Sequence, residues 1–140
     1  MKDREPATAA IRRNVLLKAP IQIVWAHLTE AEKLGLWFHP AERDLKTGED
    51  YALIGADGAP LCWGRVTAME PPRRLAYTFT VKPMNGAMSE VEWILDPFAG
   101  GTRLELIHTG LPEGEAAADL LFAMDAGWDE HIGRLRALAV

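Results

Sequence analysis

Leu75, Tyr77, Phe79 and Val81 alternate with Ala76, Thr78 and Thr80. No other feature constrains the fold as much. Successive side chains of a strand point to opposite faces, so a bulky residue at every second position demands one buried face. Val91, Trp93 and Leu95 repeat the pattern, with Glu90 and Glu92 turned to water. After a Gly100-Gly101 turn, Leu104, Leu106 and His108 alternate with Arg103, Glu105 and Ile107. An antiparallel sheet with one apolar face needs a cover. The segment from Glu113 to Leu138 reads as a long amphipathic helix that provides it. Ala117, Leu121, Met124, Trp128, Ile132, Leu135 and Leu138 form its stripe, and Asp125, Asp129, Glu130 and Arg136 point away. Gly127 falls mid-helix, where glycine costs about 1 kcal/mol relative to alanine. Either close approach of the helix to the sheet or room for a ligand beside Trp128 must compensate.

The remaining elements come first in the chain. Ile11–Lys18 reads as a strand. Pro20 suits the first turn of a helix, and Ile21, Val24, Trp25 and Leu28 share one of its faces. Thr29 and Glu32 match a capping box, which predicts a second short helix ending near Trp37, before Pro40. Asp50–Ile54 and Leu61–Glu70 flank Ala56-Asp57-Gly58 as a hairpin, and Pro71-Pro72 stops the second strand. Trp63 is placed facing inward. Strand, two short helices, a run of strands and one long helix describe an α+β fold. Residues 1–10 read as a flexible tail and residues 11–140 as a single domain, as 140 residues suggest.

Composition excludes several classes. A net charge of −5 and the lack of any Lys/Arg run oppose nucleic-acid binding and an anionic membrane surface. No apolar run approaches a membrane span, so membrane insertion is not expected. Met1–Ala10 lacks the apolar centre of a signal peptide. Cys62 is the single cysteine, which rules out an internal disulfide and fits a reducing compartment. A cytoplasmic location is expected. The first strand, or the edge at Asp50–Ile54, offers a route to a homodimer.

A family resemblance is carried by Ala19-Pro20-Ile21 with Val24-Trp25 and Leu28-Thr29, then Leu36-Trp37-Phe38, Gly64-Arg65-Val66 and Pro71-Pro72-Arg73-Arg74-Leu75. It continues through Gly100-Gly101-Thr102-Arg103-Leu104, Leu106-Ile107-His108 and Gly127-Trp128. In this order and spacing they resemble the START-like, or SRPBCC, superfamily, and within it the activator of heat-shock protein 90 ATPase homologue-like group. The resemblance implies a helix-grip fold: a curved antiparallel sheet wrapped around a long C-terminal helix, with a hydrophobic cavity between them that often holds an apolar molecule. It does not imply one activity, since the superfamily includes lipid carriers, cyclases and hormone receptors.

Five Trp residues in so short a chain suit the walls of such a cavity, because indoles are large and rigid. The expected ligand-binding residues are Trp37, Phe38, His39, Trp63, Tyr77, Phe79, Trp93, Leu106, His108, Leu121, Met124 and Trp128. His108 shares the inward parity of Leu104 and Leu106, and His131 lies one turn beyond Trp128. Inward histidines can orient a carboxylate or act as general acid and base; a hydrogen-bonded histidine with structural work only is the plainer reading. No HxH, HExxH or CxxC spacing suggests a metal, and no cofactor or catalytic residue is assigned. Cys62 reads as a small buried thiol. The expected function is binding of a small apolar or amphipathic molecule. The alternatives are a cyclase- or hydrolase-like enzyme using His108 with His39 or Tyr77, and a chaperone-associated interaction module.

Overall fold

The computed structural model describes residues 8–138. Six strands form one curved antiparallel sheet: β1 (Thr8–Leu17), β2 (Asp50–Ile54), β3 (Pro60–Glu70), β4 (Arg74–Val81), β5 (Ser89–Phe98) and β6 (Gly101–Pro112). Their order across the sheet is β1-β6-β5-β4-β3-β2, so β1 and β2 are the free edges. These are the two strands from which the sequence suggests a dimer contact. Helices α1 (Ile21–Thr29) and α2 (Ala31–Trp37) follow β1, and α3 (Ala118–Leu138) closes the chain. This is the expected α+β helix-grip arrangement.

The period-two reading holds. Leu75, Tyr77 and Phe79 of β4, Val91, Trp93 and Leu95 of β5, and Leu104, Leu106 and His108 of β6 are all buried on one face. Trp128, Ile132 and Leu135 of α3 close over them. Two glycines let strands approach closely. A Cβ at Gly64 would stand 2.0 Å from the Thr78 carbonyl oxygen, and one at Gly101 2.2 Å from that of Leu17. Only glycine fits such contacts.

Several expectations are corrected. Strand β1 begins at Thr8, with Thr8 opposite Pro112 and Ala9 opposite Leu111, so residues 8–10 belong to the sheet rather than a tail. Residues 1–7 lie outside the described residues. The capping box at Thr29 does not form. The Thr29 hydroxyl bonds back to the Trp25 carbonyl at 2.9 Å within α1, and Asp44 from the following loop caps α2 by accepting from the Ala31 N–H at 2.8 Å. A distant carboxylate thus takes the role that local spacing gave to Thr29. Helix α3 starts at Ala118, after a 3-10 turn over Glu115–Ala117, and Leu138 at its end is exposed.

Asp125 and Asp129 do not simply face water. Arg13 of β1 donates to Asp129 Oδ1 at 2.7 Å and to Asp125 Oδ1 at 2.8 Å, tying α3 to the sheet edge. His27 of α1 is buried, with Nδ1 2.8 Å from the Ile23 carbonyl.

Candidate functional site

The aromatic residues converge, but chiefly on one another. Trp37 ends α2 and its indole N–H donates to the His27 carbonyl at 2.8 Å. Trp93 of β5 donates to the Tyr77 hydroxyl at 3.0 Å. The rings of Trp37 and Trp93 meet edge-on at 5.9 Å, and those of Trp93 and Trp128 at 5.6 Å. Edge-to-face contact at this spacing is favourable, and three indoles fill volume that smaller side chains would leave open. The centre of the grip is therefore solid core. Trp37, Tyr77, Trp93 and Leu106 belong to that core and not to a cavity wall.

His108 is also corrected. It is fully buried. Trp128 Nε1–H donates to His108 Nδ1 at 3.0 Å, His108 Nε2 lies 2.8 Å from Ser89 Oγ, and the Ser89 hydroxyl donates to the Phe79 carbonyl at 2.6 Å. An indole only donates and a carbonyl only accepts, so the chain has one consistent direction. His108 is the Nε2–H tautomer, donating to Ser89. Burial pushes its pKa down to about 4. Both nitrogens are engaged, and the ring does not face a ligand space. Tyr77, the other suggested enzymatic partner, is held neutral by burial, which raises its pKa.

Open space remains beside the first half of α3. A cleft of about 520 Å³ lies among four segments: Ala123–Trp128 with His131 on α3, the β2–β3 hairpin, the end of β4 running into Val81–Pro83, and Phe38-His39 after α2. That volume falls in the range of small-molecule sites. Of the expected residues, Phe38, His39, Phe79, Met124 and Trp128 line it. Leu121 lies outside it, partly buried against the core. Trp63 faces the other way. Its neighbour Cys62 takes the inward position of β3, while Trp63 lines a separate hollow with Glu42, Arg43 and Arg65. Cys62, Gly64 and Val66 share the inward parity, whereas the bulkier Leu61 and Trp63 take the other, so side-chain size along β3 pointed to the wrong face.

Sequence reasoning missed Leu61, Lys82 and Pro83, which come from a strand end and a turn and have no periodic signature, and it gave Val81 a place in the alternation of β4 but not in the site. Cys62 fits as a small buried thiol at the cleft floor, pushed up to about 12 by burial. Gly127 and His131 carried a signal, one as a costly mid-helix glycine and the other as an inward histidine one turn past Trp128. A Cβ at Gly127 would meet nothing within 4 Å. Close approach to the sheet is thus excluded as the reason for this glycine, and the position is one of those that line the cleft.

The polar groups of the cleft are few. The rings of His39 and His131 lie 5.3 Å apart, and Phe38 packs against both, at 5.0 and 4.7 Å. Burial, then the nearby Arg134, lowers the pKa of His39. Burial, then His39 and Arg134, lowers that of His131. Lys82 and Asp57 stand at the rim. The Arg73-Arg74 pair is committed elsewhere: Arg74 bonds Glu92 and Glu70, and Arg73 lies 3.5 Å from Asp96. Among the described residues, no three His, Cys, Asp or Glu side chains gather as a metal would need. No helix among them is long and apolar enough to cross a membrane.

Comparison with known proteins agrees with this architecture. CalU16 from Micromonospora echinospora is 29% identical, with a TM-score of 0.73, over 92% of this chain and 83% of that one. BH1534 from Bacillus halodurans is 27% identical, with a TM-score of 0.77, over 94% and 97%. PFC0360w, an HSP90 activator from Plasmodium falciparum, has a TM-score of 0.78 over 92% and 94%, but at 19% identity it shares the fold alone. No curated protein matches the sequence. The family described as Activator of Hsp90 ATPase homolog 1-like protein matches residues 18–139, and the chain belongs to that family, with the START-like helix-grip fold.

Proposed function

We propose that this protein binds a small apolar or amphipathic molecule in the cleft beside α3, without a catalytic step. The observation that carries the reading is Gly127. A glycine that costs helix stability, and that no packing contact requires, opens the cleft wall next to Trp128. The walls around it are mostly apolar, with Phe79, Val81, Met124 and Phe38 contributing. Apolar surface with few polar groups suits retention of a ligand more than chemistry on it. His108, the residue best placed by sequence for acid–base work, lies in the core instead.

The test uses Trp128 as the reporter. A screen of apolar and amphipathic compounds should yield hits in which Trp emission and melting temperature shift together. A ligand at a hundredfold over its dissociation constant stabilises the fold by about 2.7 kcal/mol. Gly127→Leu should remove those hits while the protein stays folded, because its side chain enters the cleft. Hits that survive Gly127→Leu undiminished would place the ligand elsewhere and refute the reading.

A further inference from the structure

We propose that the cleft takes a carboxylate-bearing amphipath, its head group held between His39 and His131, and that a proton is taken up with it. The inference rests on the cleft being a ligand site and names the ligand's chemical class.

The argument begins with unused nitrogens. Among the described residues, neither ring nitrogen of His39 has a hydrogen-bond partner, although the ring is half-buried in the cleft wall. His131 offers Nδ1 to two groups that cannot both be served. The Trp37 carbonyl at 3.3 Å needs a proton on Nδ1, whereas the Arg134 guanidinium at 3.1 Å needs a lone pair there. In either state Nε2 is left for the cleft. Two imidazoles whose ring centroids lie 5.3 Å apart thus line the same cleft with ring nitrogens left unpaired. A carboxylate, with two oxygens able to accept from two donors, matches that pair.

Charge decides where the proton comes from. Lys82 and Asp57 line the cleft from the turn after β4 and from the β2–β3 hairpin. Arg134 and Glu130 flank His131 on α3, and Arg134 already pairs with Glu130 at 3.1 Å. These four fixed charges cancel. An arriving carboxylate therefore finds no net positive partner unless an imidazole is protonated. Burial and Arg134 lower the pKa values of both rings, which favours their neutral forms. A bound anion reverses that balance, because an opposite charge nearby favours the imidazolium. Binding and protonation are then linked. The apolar body of the ligand would run from the histidines along Met124 and Phe79 toward Val81.

The experiment compares matched probes: 2-naphthoic acid with 2-naphthamide, and decanoic acid with 1-decanol. Isothermal titration is run near pH 6, 7 and 8, in two buffers of different ionisation heat. Each acid should bind about tenfold or more tighter than its neutral partner near pH 6. Its affinity should fall by up to tenfold per pH unit as pH rises, with close to one proton taken up. The neutral probes should show neither effect. His39→Gln should remove most of the acid preference, read as the ratio of acid to neutral affinity, and lower the proton count. Equal affinity for acids and neutral partners without proton uptake would overturn this inference and leave the cleft reading standing. Failure of all four probes to bind would overturn both. An acid preference lost in Lys82→Gln but intact in His39→Gln would place the head group at Lys82 and also overturn it.

Discussion

Acidification should loosen this fold chiefly through the buried imidazole of His108, before its carboxylates matter. His108 sits neutral between an indole donor and Ser89. Burial lowers its pKa to about 4, and protonating Nδ1 would also set two donors, the imidazolium and the Trp128 indole, against each other. The folded pKa lies below the unfolded value of about 6.5. The neutral form is therefore the one the fold prefers. The stability it contributes is complete above the unfolded value and is lost as pH falls toward the folded one. The contribution is roughly 3 kcal/mol in full, of which about 2 kcal/mol should disappear between pH 7 and 5. Denaturant unfolding across that range measures it. His39 and His131 also have lowered values and act with the same sign. The measurement therefore belongs in a His39→Gln/His131→Gln background. Asp129, held low by Arg13, contributes only below this window. A double variant with flat stability from pH 6.5 to 5 would refute the reasoning. So would an NMR titration of the His108 ring with an ordinary midpoint.

Gly64→Ala should destabilise by about 1–3 kcal/mol in chemical unfolding, since its Cβ would meet the Thr78 backbone oxygen at 2.0 Å and backbone cannot swing aside. Trp128→Phe should cost at least about 1–3 kcal/mol, because it leaves His108 Nδ1 a buried acceptor without its donor, and its unfolding midpoint checks this. Asp129→Ala should lower the melting temperature at low salt and lose most of that effect in high salt, because the carboxylate reaches Arg13 from an exposed position.

What could be read in the sequence divides along physical lines. Period-two alternation in β4, β5 and β6 placed the inward residues correctly, because every second position there is large and apolar. It did not reveal whether those side chains line a void or fill it. That depends on whether rings from β5, α2 and α3 reach each other, and Trp37, Trp93 and Trp128 do. Parity placed His108 inward but said nothing about Ser89, nineteen residues earlier, whose hydroxyl turns a candidate ligand-binding group into a structural one. The cap of α2 was misread for a similar reason. Asp44 lies thirteen residues from the helix start it serves, beyond the reach of any local motif. The cleft itself is assembled largely from turn and strand-end residues, where no periodicity exists to be read.

Gly127 and Gly133 both break the preference of α3, and of the two Gly127 is the one that lines the cleft. Places where a sequence departs from the preference of its own element are where function or strain is expected to lie. The structure separates those two causes here. A strained or close-packed glycine would meet backbone, as Gly64 and Gly101 do, whereas Gly127 faces open space. Stability and binding should therefore respond in opposite directions to the smallest change. Gly127→Ala should raise stability by up to about 1 kcal/mol through helix propensity, while its methyl group narrows the cleft beside Trp128 and weakens ligand binding. A glycine kept only for folding cannot give that pair of results. Ligand affinity unchanged in a stabilised Gly127→Ala would show that the cleft wall does not extend to this position.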